Sequence, residues 1–121
     1  MTKEKALADF YGSFQIPAYE ENTVPDNVTF PYITYNVATD SIGAYISLYC
    51  NLWYRSSSWV SCNQKARDIY EVVGSGGTVL PCDGGGIWLK ADSPFAQNMS
   101  DPDDDLIRRK YIRLTAEFIT N

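Results

Sequence analysis

The sequence predicts an α+β fold, a mainly antiparallel sheet with two helices packed on it, and three observations predict it. Apolar residues recur at helical spacing over residues 7–14 and 59–73. They alternate with polar residues at a period of two around 33–37, 44–55 and 106–119. Between these blocks Asp83-Gly84-Gly85 separates Val79-Leu80 from Ile87-Trp88-Leu89. That is hairpin chemistry, because glycine reaches positive φ without a steric penalty. A chain of 121 residues is long enough to bury a core as one domain. The expected division is an N-terminal helix over 1–14, an extended connector over 15–31, and a sheet with its core helix over 32–121.

Each element follows from local pattern. Leu7, Phe10, Tyr11 and Phe14 lie on one helical stripe, with Thr2 placed to cap a helix that runs to about Gly12. Pro17, Pro25 and Pro31 sit among acids and asparagines, so 15–31 reads as a largely irregular connector. Ile33, Tyr35 and Val37 alternate with Thr34 and Asn36 in a strand that stops at the turn Thr39-Asp40-Ser41-Ile42-Gly43. The next strand, Ala44 to Arg55, carries Ile46, Leu48, Cys50 and Leu52 on one face and Tyr45, Ser47, Tyr49, Asn51 and Trp53 on the other. Ser56, Ser57 and Ser58 offer N-caps to the main core helix, whose stripe Trp59, Cys62, Ala66, Ile69 and Val73 ends at Gly74. After the hairpin and a loop, Leu106 to Ile119 forms a last strand with Ile112, Leu114, Ala116 and Phe118 facing inward.

Composition narrows the chemistry. There is no histidine, which removes imidazole-based triads, the commonest metal ligand and the natural titrant near neutrality. Cys50, Cys62 and Cys82 are too widely spaced for a C-x-x-C site and read as reduced core residues, not nucleophiles. No strand places two acids on one apolar face, as a carboxylate-pair enzyme would require. The glycine runs 74–77 and 84–86 lack the G-K-[ST] of a phosphate loop and read as turns. The expectation is a protein that is not an enzyme and uses no cofactor or metal. With a net charge of −5 it is a poor general ligand for nucleic acid or anionic membrane. The opening Met1-Thr2-Lys3-Glu4-Lys5 does not resemble a signal peptide, so a cytoplasmic setting is expected.

Two features remain for binding. The first is the aromatic set Tyr45, Tyr49, Trp53 and Trp88, on strand faces opposite the aliphatic ones. Either Leu7, Phe10 and Phe14 of the same chain cover it, or another subunit does. The second is the stretch "MSDPDDDLIRRK", where Asp101, Asp103, Asp104 and Asp105 run into Arg108, Arg109 and Lys110. A calcium loop counted from Asp101 would need glycine at its sixth position and glutamate at its twelfth, where Leu106 and Ile112 stand. The adjacent aspartates also repel phosphate, which weakens a DNA-binding role for the three cations. The acidic stretch is expected to form a solvated loop at the end of the last strand, its position fixed by the strand-end cations.

The short N-terminal helix, the approach through Phe30-Pro31-Tyr32-Ile33-Thr34-Tyr35, the serine-capped helix and the terminal "DPDDDLIRRKYIRLTAEFIT" together resemble the small tail terminator (tail completion) proteins of long-tailed, non-contractile bacteriophages and prophages. The resemblance spans nearly the whole chain and rests on element order and terminal patterns. It implies a ring of six copies that closes the tail tube and presents the head-joining surface. The partners it implies are other copies of the chain, the tail tube protein and the head-tail connector, with DNA only as passing cargo and no membrane. The location it implies is the virion tail, after assembly in the host cytoplasm. A head-tail connector or adaptor subunit fits the same features. So does a small non-viral regulatory domain that binds one partner.

Overall fold

The computed structural model describes residues 1–121 as two helices and one six-stranded sheet. Helix α1 spans Lys3–Gly12, and Thr2 Oγ1 accepts from Lys5 N at 3.1 Å as its N-cap. Strands β1 (Ala18–Glu20), β2 (Tyr32–Tyr35) and β3 (Tyr45–Arg55) come next, then helix α2 (Val60–Val73). Strands β4 (Thr78–Cys82), β5 (Gly85–Met99) and β6 (Ile107–Ile119) complete the chain. Their order in the sheet is β1-β2-β3-β6-β5-β4, so the last strand lies in the middle.

The α+β reading holds, with three corrections. The sheet is mixed: four neighbouring pairs are antiparallel, but β1 runs parallel to β2. That pair also places a strand inside the supposed connector, with Ala18, Tyr19 and Glu20 opposite Ile33, Thr34 and Tyr35. A three-residue strand between prolines leaves too short an alternation to be seen in sequence. Third, the loop expected after the hairpin is largely strand. β5 stays paired with β6 as far as Met99, interrupted by a bulge in which residues 92–95 of β5 stand opposite Arg113 alone. Asp92-Ser93-Pro94 reads as a breaker, but a bulge accommodates the extra residues and the ladder resumes beyond it.

Both helices pack on one face of the sheet. A single core cluster joins Leu7, Phe10, Tyr11 and Phe14 of α1 and Cys62, Ala66, Ile69 and Val73 of α2 to the buried strand residues. From the strands come Ile33 and Tyr35, then Leu48, Cys50 and Leu52, then Ile87 and Leu89, and finally Ile112, Leu114, Ala116 and Phe118. Cross-strand register explains the choice. Cys50 is opposite Ile112 and Leu48 is opposite Leu114, so the inward positions of neighbouring strands fall in rows. Tyr11 stacks on Tyr35 with ring centroids 4.6 Å apart, fixing α1 over β2.

Two glycines shape the turns. Gly74 ends α2 at φ 74°, and its N–H bonds the Tyr70 carbonyl. At Gly85, φ is 155°, and a Cβ would stand 2.0 Å from the Ile119 carbonyl oxygen, so only glycine lets the hairpin close against the end of β6. The serines before α2 contribute through Ser58, whose Oγ accepts from Val60 N at 3.1 Å; the capping position itself is Trp59.

Candidate interaction surface

Because strand side chains alternate, the rows that face the helices leave a second set of rows facing away. Across β3 and β6 these read Tyr45–Glu117, Ser47–Thr115, Tyr49–Arg113, Asn51–Tyr111 and Trp53–Arg109. β2 extends them with Thr34 beside Asn51 and Tyr32 beside Trp53; β5 adds Trp88 beside Glu117, Lys90 beside Thr115, Gln97 beside Tyr111 and Met99 beside Arg109. No helix covers this open face. The predicted aromatic set Tyr45, Tyr49, Trp53 and Trp88 is therefore brought together on it. Leu7, Phe10 and Phe14, the proposed cover from within the chain, are packed on the opposite face.

Side chains on the open face support one another. Tyr32 and Trp53 stack with interplanar angle 12°, and the Arg109 guanidinium lies 5.0 Å from the Trp53 ring centre. Arg109 Nε donates to Asn51 Oδ1 at 2.8 Å, and Trp53 Nε1 donates to Thr34 Oγ1 at 2.8 Å. These bonds explain why the polar residues Thr34 and Asn51 are buried on a face without a layer above it. Tyr49 stacks on Tyr111 at 5.4 Å, and its hydroxyl donates to both Glu21 carboxylate oxygens, at 2.7 and 2.9 Å. The hydrogen bond to that carboxylate pushes the Tyr49 phenol above its ordinary pKa. Glu117 does the same to Tyr45, which is 63% exposed.

The cations here are already engaged. Lys90 Nζ lies 3.7 Å above the Trp88 ring and 3.6 Å from the Glu117 carboxylate. Arg113 pairs with Asp92 in the bulge at 3.1 Å. With Lys90, Arg109 and Arg113 set against Glu21, Asp92 and Glu117, the face is close to neutral although the whole chain is at −5.

The acidic stretch forms the turn before β6. Asp101 Oδ1 accepts from Asp103 N and Asp104 Oδ1 from Leu106 N, each at 2.9 Å, the pattern of Asx turns. Asp104 Oδ2 also meets Arg55 Nε at 2.9 Å. The Leu106 N–H, and then the Arg55 guanidinium, lower the Asp104 pKa below its ordinary value. Arg55 was missed by sequence reasoning; only the register that places it opposite Ile107 reveals it. Asp103 and Asp105 are exposed, and their carboxylates make no hydrogen bond within the chain.

The three cations divide between the faces. Arg108 and Lys110 share the parity of Ile112 and so turn to the helix side, where both approach the Trp59 ring, at 5.7 and 5.4 Å. Arg108 Nη1 donates to the Asp105 carbonyl at 2.6 Å, whereas Arg109 and Lys110 bond Asn51 and Asn98, outside the turn. Arg109 alone faces the open side. An open cleft of about 430 Å³ lies between Trp59, Arg108 and the turn residues Asp101 and Asp105. It mixes charges of both signs.

Two of the three thiols, Cys50 and Cys62, are buried and shielded, whereas Cys82, expected in the core, is only half-buried at its edge. Burial pushes the Cys62 pKa up to about 11, against a small opposing effect of Lys110, and raises Cys50 further. No group of three or more cysteine or acidic side chains converges in a metal-binding arrangement. No helix is long and apolar enough to cross a membrane. In comparisons with known proteins, no family model matches the chain and no curated protein matches its sequence.

Proposed function

We propose that the chain is a structural subunit that works by docking, and that it is a tail terminator: a ring of copies that closes a phage tail tube and offers a surface to the head. The observation that carries the docking part is the open sheet face, where Trp, Tyr and Arg, the residue types richest at interface centres, occupy adjoining rows. The ring, its six copies and its tube and connector partners rest on the resemblance of element order and of the terminal "DPDDDLIRRKYIRLTAEFIT". In this reading the chain turns nothing over, needs no cofactor, and meets DNA only as it passes. The unpaired carboxylates of Asp103 and Asp105 either keep the ring opening from holding DNA or meet cations of a neighbouring subunit.

Electron microscopy tests this with the protein mixed with tail tubes of the same phage or prophage. Rings at tube ends are expected, and tubes that stop growing. Replacing Asp103, Asp104 and Asp105 together with Asn is expected to leave the fold intact and to impair ring closure, head joining or DNA passage. A protein that ignores tube ends and forms no ring at high concentration overturns the terminator reading.

A further inference from the structure

We infer that, free of any assembly, the open face is covered by the open face of a second copy, in a two-fold sandwich of the two sheets. This rests on the reading of that face as an interface, but it does not rest on the ring. A face-to-face pair is closed and non-polar, whereas a tube end needs a polar, head-to-tail contact.

The area is sufficient. β3 is 11 residues long, about 36 Å at the usual rise, as are the stretches of β6 and β5 beside it, while β2 adds only 4 residues, about 13 Å. At about 4.8 Å per strand these cover about 600 Å², the lower end of the range for one partner of a specific interface, about 600–1,000 Å².

The charge pattern favours a second copy over a nucleic acid. Lys90 and Arg113 are tied to Glu117 and Asp92, at 3.6 and 3.1 Å, so the face offers no free cationic strip to phosphates. It is self-complementary instead. A two-fold axis along the boundary between β3 and β6 exchanges these strands, so each registered pair recurs across the interface. Trp53 then meets the second copy's Arg109, Tyr49 its Arg113, Tyr45 its Glu117, and Ser47 its Thr115. Cations meet aromatic rings, a phenol meets a carboxylate, and no like charges oppose along β3 and β6. β5 of one copy then overlies β2 of the other, where Met99 faces Tyr32 and Gln97 faces Thr34. Aligned sheets in such a sandwich stand about 10 Å apart, enough for these side chains to interdigitate.

Sedimentation and native mass spectrometry over a concentration series test the pairing. A mass twice that of the chain is expected at tens of micromolar. Ser47 is exposed beside the two-fold axis, facing the second copy's Thr115, so Ser47→Arg is expected to weaken association at least tenfold and to leave the circular dichroism spectrum unchanged; Arg67→Glu, on the exposed side of α2, is expected to change neither. In a Cys82→Ser background, a short bis-maleimide is expected to join Ser47→Cys to Thr115→Cys when the two single variants are mixed. A chain that remains monomeric throughout the series overturns the inference. So does a dimer indifferent to Ser47→Arg, or one in which the mixed variants fail to cross-link. A ring at tube ends with no dimer in solution overturns this inference and leaves the terminator reading standing.

Discussion

The two faces of this sheet are built from the same strands and differ in what completes them. On the helix side, Leu48, Cys50, Leu52, Ile112, Leu114, Ala116 and Phe118 are each at most 1% exposed, sealed by α1 and α2. On the other side the same two strands present Tyr45, Tyr49, Trp53, Arg109, Tyr111 and Arg113, which no helix covers. The comparison teaches that burial and exposure can be separated within one strand by parity alone. One set of positions stabilises the fold, and the alternate set is left uncovered by any helix. It also accounts for Thr34 and Asn51, which are buried because Trp53 and Arg109 lie over them and not because a second layer does.

The sharpest way to break the comparison is to delete matched side chains from the two faces. Leu114→Ala removes a fully buried side chain at the centre of the core and is expected to cost about 2–5 kcal/mol in urea denaturation. Its neighbour Thr115, on the open side, is expected to tolerate Thr115→Ala within about 0.5 kcal/mol. Equal effects at the two positions would mean that the open face also contributes to the stability of the monomer.

Much of this division was legible in the sequence, and the failures have physical causes. The alternations in β3 and β6 and the stripe of α2 are long enough for the burial period to dominate, and their inward residues match the core. Parity alone also placed Arg108 and Lys110 with Ile112, and Arg109 with Arg113, so the split of the cations could have been read from β6. What could not be read is non-local. β1 is three residues long and exists only because β2 lies beside it. The second half of β5 is held by β6 across a bulge that its own residues 92–95 disguise as a loop. The placement of β6 between β3 and β5 is what brings Trp88 into the same face as Tyr45 and Trp53, and no local pattern encodes that order. The partner Arg55 of Asp104 was hidden for the same reason.

A smaller effect sharpens the covered side. Cys62 is fully buried and its pKa is raised to about 11, so in the folded protein it is expected to react with thiol reagents far more slowly than in urea. Cys82, which is only half-buried, is expected to react first. Cys62→Ala is expected to lower stability by about 1 kcal/mol through lost packing, without altering the quaternary state. Rapid alkylation of Cys62 under native conditions would show that the α2 side opens readily, contrary to a sealed face.

The smallest expected effect lies at the border between the faces, in the acidic turn. The folded-state pKa of Asp104 is lowered, first by the hydrogen bond from Leu106 N and then by Arg55. A carboxylate of this kind contributes stability above its unfolded pKa, about 3.9. That contribution disappears as pH falls through the lower folded value. Asp104→Asn keeps a side-chain oxygen able to accept from Leu106 N, so it removes mainly the charge and the pairing with Arg55. The variant is therefore expected to have a slightly lower Tm than wild type at neutral pH, the surface pair being well solvated. The gap is expected to close as pH drops below about 4, where protonation removes the wild-type charge as well. Thermal denaturation from pH 7 to 2 measures both curves. A gap that persists at the lowest pH would assign the role of Asp104 to its hydrogen-bonding geometry in the turn and not to its charge.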